Sequence, residues 1–81
     1  DYKTRVQELL QGRGLSAPRY VVTSADGPDH ARVFSVMVLL AGDAGAPDRE
    51  VGRGTGRSRA EAEQDAARIA LDALAALAEV A

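Results

Sequence analysis

Apolar residues in the first eleven positions fall at Tyr2, Val6, Leu9 and Leu10, spaced i, i+4, i+7 and i+8. That spacing lines one side of a helix and predicts one from Asp1 to Gln11. Asp1 can cap its start, and Gly12 and Gly14 stop it. Thr4, Gln7, Glu8 and Gln11 occupy the polar side. The pattern then changes period. Pro18 to Ser24, PRYVVTS, reads as a strand, and Arg32 to Leu40, RVFSVMVLL, reads as the strongest strand because it is dense in β-branched and aromatic residues. Glu50 to Thr55 gives a short third strand, in which Gly52 and Gly54 signal a bulge or the close approach of another backbone. The intervening DGPDHA and GDAGAPD are turn sequences. From Ser58 the helical period returns. Ala62, Ala66, Ile69, Ala70, Ala73, Leu74 and Leu77 form its predicted buried stripe, and a helix running to Glu79 would be about 31 Å long. Ser58 and Glu61 supply an S-x-x-E capping box at its start.

The predicted order is therefore α-β-β-β-α. Two turn-connected hairpins make a three-stranded antiparallel sheet, and two amphipathic helices must bury their stripes on one face of it, an α+β fold. The second strand is apolar on both faces. Phe34, Val36, Val38 and Leu40 alternate with Val33, Met37 and Leu39. The outer strip is expected to be a contact surface for another domain or a second copy.

At 81 residues the chain is a single domain, residues 1–81. A chain of this size buries only about 60% of its unfolded surface and needs a compact core. It has no cysteine, which excludes a disulfide framework and thiolate metal sites. No apolar run approaches the roughly 20 residues of a membrane span, and no signal peptide is visible. A cytoplasmic protein with no membrane partner is the expectation. The sequence does not begin with Met and enters helix-like sequence at once, which suggests a domain excised from a longer protein.

The formal net charge of −2 argues mildly against a polyanion ligand. The distribution changes that picture. Arg53, Arg57 and Arg59 lie within seven residues, while Asp26, Asp29, Asp43, Asp48, Glu50, Glu61, Glu63 and Asp65 lie elsewhere and are expected to face away from the arginines. Arg57-Ser58-Arg59 sits at a predicted helix N-terminus, where free N–H groups and the dipole attract anions. Guanidinium groups match phosphate oxygens in pairs, and the flanking glycines allow backbone to approach a ligand. The stretch GRGTGRS is thus an oxyanion site, above all for phosphate. It is not a nucleotide P-loop: the spacing from Gly52 to Gly56 is one residue short, Arg57 replaces the lysine, and no parallel βαβ unit surrounds it. His30 has no partners at metal-ligand spacing, and the acids on the last helix form no two-metal constellation. No catalytic residue, metal site or cofactor is expected in this chain.

Gly54 to Ala67, GTGRSRAEAEQDAA, resembles the C-terminal signature of double-stranded RNA-binding domains: G-x-G-x-S, basic residues, then an alanine-rich helix. Asp1 to Gln11, Pro18-Arg19-Tyr20, Gly27-Pro28-Asp29-His30 and Phe34-Ser35-Val36 look specifically like the C-terminal domain of bacterial ribonuclease III. The resemblance covers nearly the whole chain in order. It implies recognition of A-form RNA by shape, with two successive minor grooves and the phosphates between them contacted. By that resemblance Thr4, Gln7 and Glu8 meet one minor groove, His30 with Pro28 and Asp29 meets the next, and Arg57, Ser58 and Arg59 meet phosphate. Lys3 and Arg5 are expected only to solvate the first helix.

The family usually carries two adjacent cations after the serine. Here those two positions hold Arg59 and Ala60, so the second cation is missing, and affinity is expected to be weaker than that of a fully basic relative, with Arg57 and Arg53 as compensation. The resemblance further implies a parent endoribonuclease, homodimeric through its nuclease domain and dependent on Mg²⁺ held there. This chain would bind RNA and not cut it. Competing readings are the same fold used as a protein docking or dimerisation module, which Ala60, the net acidity and the apolar outer strand favour, and a different parent such as a Dicer-like or kinase-linked protein.

Overall fold

The computed structural model describes the backbone of residues 1–80 and the side chains of residues 1–76. Its elements are α1 (Tyr2–Gly12), β1 (Arg19–Asp26), a 3₁₀ turn (Asp29–Ala31), β2 (Val33–Leu40), β3 (Arg49–Gly56) and α2 (Arg59–Val80). The α-β-β-β-α order and the antiparallel sheet, ordered β1-β2-β3, are as the sequence predicts. β1 starts one residue later than expected and runs on to Asp26, and β3 gains one residue at each end.

Local chemistry fixes the helix ends. The Asp1 carboxylate accepts the Thr4 N–H at 2.9 Å and caps α1. At the other end Gly14, with φ of +71°, donates to the Gln11 carbonyl while Leu15 donates to that of Leu10. This paired closure turns the chain out of the helix. Ser58 caps α2, its Oγ accepting the Glu61 N–H at 3.1 Å.

The core is Val6 and Leu10 of α1, Val36 and Val38 of β2, Val51 of β3, and Ala62, Ala66, Ala67, Ala70 and Leu74 of α2, all on one side of the sheet. Tyr20, Val22, Phe34 and Leu40 pack around it. Both helices thus cover a single face. They run side by side in the same direction: the Tyr2 N–H donates to Gln64 Oε1 at 2.8 Å, and Arg13 Nη2 donates to the Leu74 carbonyl at 3.2 Å.

This packing corrects two stripe assignments. Ile69 is 37% exposed, while Ala67 is fully buried. At about 100° per residue, the sector from Ala62 round to Ala67 spans about 140°, and Ile69 falls just outside it. α1 lies against the Ala67 side, so the buried sector is wider and shifted from a stripe facing the sheet alone. Tyr2 is also exposed, its ring beneath the Arg5 guanidinium at 5.6 Å. Leu77 lies outside the residues whose side chains are described.

The glycines of β3 face α2. A Cβ on Gly52 would lie 2.6 Å from the Ala66 carbonyl oxygen, on Gly54 2.2 Å from the Ala66 nitrogen, and on Gly56 2.6 Å from the Ala62 nitrogen. Of the two alternatives for Gly52 and Gly54, close approach governs both; the adjacent register shift, at Val38/Leu39, leaves Val51 as the extra residue on β3. The glycines are spent on helix packing and not on exposing backbone to a ligand.

On the outer face, Val21, Met37 and Arg53 stand in one row across the three strands. Arg53 Nη2 lies 3.6 Å from Met37 Sδ. Met37 and Leu39 are half-buried, and Val33 is exposed. Part of the apolar strip is therefore covered from within the domain.

Gly54→Ala is expected to destabilise the domain by about 3 kcal/mol or more, because helix backbone occupies the space its methyl needs. Gly12→Ala, at a helical position with nothing within 4 Å, should instead gain about 0.5–1 kcal/mol. Urea unfolding of both variants beside the wild type checks the pair.

Candidate nucleic-acid interface

Thr4, Gln7 and Glu8 recur at i, i+3 and i+4 and are exposed on the side of α1 away from Val6 and Leu10. Their polar groups form a ledge of donors and acceptors. The second patch is the β1–β2 loop. Gly27 adopts φ of +97°, and a Cβ there would lie 2.8 Å from the Ala31 carbonyl. The Ala31 N–H donates to the Pro28 carbonyl at 2.9 Å, and Arg32 Nη2 pairs with Asp29 Oδ1 at 2.9 Å. The loop is thus closed on itself, and Pro28 and His30 stand out from it, exposed.

The third patch is the start of α2. Besides the Ser58 cap, Glu61 Oε2 accepts the Arg57 N–H at 3.0 Å. The carboxylate reaches one residue further back than a standard capping box, which would return to the Ser58 N–H. The Arg57 guanidinium has no ion-pair partner among the described residues. Arg59 is 63% exposed and donates from Nε to Glu63 Oε2 at 3.1 Å. Ala60 lines a shallow groove with Tyr2, Gln64 and Arg68.

Sheet register brings these patches to one end. Ala25 pairs with Phe34, and Phe34 pairs with Gly56. The β1–β2 loop and the entry to α2 therefore leave the sheet together. The first turn of α1 is tied to the same region by the Tyr2–Gln64 hydrogen bond and by Lys3 Nζ, 2.7 Å from Glu63 Oε1. The β2–β3 loop lies at the opposite end and carries Asp43 and Asp48, the latter paired with Arg19 at 2.9 Å.

Three expectations need correction. Arg53 does not join Arg57 and Arg59. It lies on the outer sheet face with Nη2 2.7 Å from Glu50 Oε1, because strand alternation sends Gly52, Gly54 and Gly56 inward and Arg53 outward. The acids of α2 do not simply face away from the arginines. Glu61 caps, Glu63 bridges Lys3 and Arg59, and Asp65 accepts the Thr55 N–H of edge strand β3 at 2.9 Å and pairs with Arg68 at 3.0 Å. Lys3 is not a mere solvating charge, since it spans the two helices and sits 4.8 Å over the Tyr20 ring. Sequence reasoning missed the Lys3–Glu63 pair because its members are 60 residues apart. Nothing local signals it.

These contacts shift the acid titrations. The Lys3 hydrogen bond, aided by Arg59, holds the Glu63 carboxyl below its ordinary value of 4.5. The Thr55 N–H, aided by Arg68, holds Asp65 below 3.8. Burial, and then the charge of Glu63, pushes the Tyr20 phenol up. Its hydroxyl is buried with no hydrogen-bond partner among the described residues. Among the described residues, no three acidic or histidine side chains gather as a metal-holding group, and no helix is long and apolar enough to cross a membrane.

The family model described as "Double-stranded RNA binding motif" matches residues 2–74. Proteins named Ribonuclease 3 are similar to this chain. That of Mycobacterium bovis is 49% identical over 77 residues, covering 95% of the chain and 29% of the relative. That of Pelotomaculum thermopropionicum is 49% identical over 71 residues, covering 88% and 27%, and that of Streptococcus pneumoniae 49% over 72 residues, covering 89% and 28%. The chain spans under a third of the length of these relatives.

Both carboxyls titrate lower folded than unfolded, so their stabilisation is complete above their ordinary values and disappears as pH falls through the folded ones. Urea midpoints should hold steady from pH 7 to about 5 and drop below about 4.5. In Glu63→Gln that acid-side drop should be shallower. Identical slopes would show that Glu63 gains nothing from its two cations.

Proposed function

The chain belongs to the double-stranded RNA-binding domain family, and from that premise we propose that it is the substrate-gripping domain of a ribonuclease III-type endonuclease. Thr4, Gln7 and Glu8 meet one minor groove, where 2′-hydroxyls and base edges suit polar side chains of either donor or acceptor type. Pro28 and His30 enter the next minor groove along the same side of the duplex. Arg57, Ser58 and Arg59 take the phosphates across the intervening major groove, with guanidinium pairs and helix-end N–H groups as donors. Asp29, beside His30, has its charge offset by Arg32.

The observation that carries this reading is the shared end of the sheet. Register places the β1–β2 loop and the α2 entry together, and Lys3–Glu63 with Tyr2–Gln64 brings the first turn of α1 to them. That three patches separated by up to 55 residues are gathered in this way supports a single ligand for all of them. Recognition is of shape, so base sequence is read little. Cutting, the Mg²⁺ that supports it and homodimerisation belong to a nuclease domain in the parent protein. Ala60 removes one cation from the phosphate patch, and the Arg57 guanidinium, unpaired among the described residues, compensates in part.

A titration of the chain with a blunt RNA duplex of about two turns, beside the same sequence as duplex DNA, tests the reading. RNA should bind more tightly, because the A-form groove and the 2′-hydroxyls are both lost in DNA. Arg59→Ala should lower the salt slope by about 0.9, the value of one phosphate contact. His30→Ala should weaken binding and leave the slope unchanged. The pure chain with Mg²⁺ should leave the duplex intact. Equal affinity for RNA and DNA would sink the proposal.

A further inference from the structure

Among the described residues, Glu63 is the one carboxylate that joins cations from two helices. Oε1 lies 2.7 Å from Lys3 Nζ and Oε2 lies 3.1 Å from Arg59 Nε. The Glu63 side chain is only 14% exposed, whereas that of Arg59 stands largely in solvent. An exposed i,i+4 ion pair on its own adds little to stability. Here the carboxylate is held from the other side by α1, and Lys3 is in turn seated over the Tyr20 ring. Arg59 therefore leans on a fixed support. Only its Nε edge is engaged, and both terminal nitrogens remain to donate. A guanidinium presented in that way suits paired hydrogen bonds to phosphate oxygens.

We infer that Glu63 is a positioning residue for duplex RNA, which aims Arg59 at the phosphate backbone from a support that Lys3 holds in place. The inference rests on the RNA-binding reading above. Its consequence runs against simple electrostatics. Removing a carboxylate from beside a polyanion should by charge alone strengthen binding. Loss of the support should weaken it. Glutamine has the same shape but one acceptor and one donor end, so it cannot accept from Lys3 and Arg59 with separate oxygens.

The experiment measures duplex-RNA affinity by fluorescence anisotropy, with melting curves, for the wild type, Glu63→Gln, Arg59→Ala and the double variant. Glu63→Gln is expected to weaken binding by about threefold to tenfold, the scale of one ordinary net hydrogen bond. In the Arg59→Ala background the same change should have no weakening effect. A charge swap, Lys3→Glu with Glu63→Lys, keeps the tie between the helices and the net charge but sets a lysine against Arg59. It gives up the Lys3–Tyr20 contact, so it should melt below the wild type yet remain folded, and it should bind RNA more weakly; it carries the test if Glu63→Gln does not fold. Binding by Glu63→Gln as tight as the wild type, or tighter, overturns the inference. An equal loss with and without Arg59 also overturns it, by showing a general effect on the fold. If the wild type itself fails to bind the duplex, the RNA-binding reading falls and takes this inference with it.

Discussion

The separation between β3 and α2 governs the rest of this structure. Gly56, Gly54 and Gly52 on the strand face Ala62, Ala66 and Ala70 on the helix. Two strand residues advance about 6.6 Å and four helix residues about 6 Å, so the two small-residue rows nearly match in pitch. Strand and helix can therefore run antiparallel in contact over three successive steps. Any side chain on the glycine row would push α2 away from the sheet. The same row fixes where α2 begins, one short turn beyond Gly56, beside the β1–β2 loop. The position of Arg57, Ser58 and Arg59 is set by backbone packing.

Charge follows a different logic from its total. The chain carries more acid than base, yet the acids nearest the arginines are each engaged. Glu61 closes the helix start, Asp65 satisfies an edge-strand N–H, and Glu63 holds two cations. Their hydrogen bonds are with neighbouring backbone and cations. Beside those acids the Arg57 guanidinium and the far side of Arg59 are left facing outward. The domain's average charge acts mainly at a distance, where salt screens it.

A module of this kind depends on rigidity in its loops as much as on its contacts. The β1–β2 loop is closed by its own hydrogen bonds and by the exposed Arg32–Asp29 pair. The capped ends of α1 and α2 serve the same purpose. Duplex RNA is itself stiff, and a shape reader gains when its patches are already spaced to the grooves.

The sequence by itself determined the element order, the helix caps and the turns. Those depend on local rules: hydrophobic period for the helices and β2, Asp1, Ser58 and Gly14 at helix ends, and turn residues at Gly27 and Pro28. Even the glycine alternation in β3 signalled either a bulge or a close approach. Only the tertiary structure decided what came close, which was α2 and not a ligand. It also decided that Arg53 faces away, that Ile69 lies at the margin of the core, and that Lys3 and Glu63 meet. Each of these depends on how one element rotates against another. That rotation is set by the sum of many packing contacts between residues far apart in the chain, and no short stretch of sequence contains it.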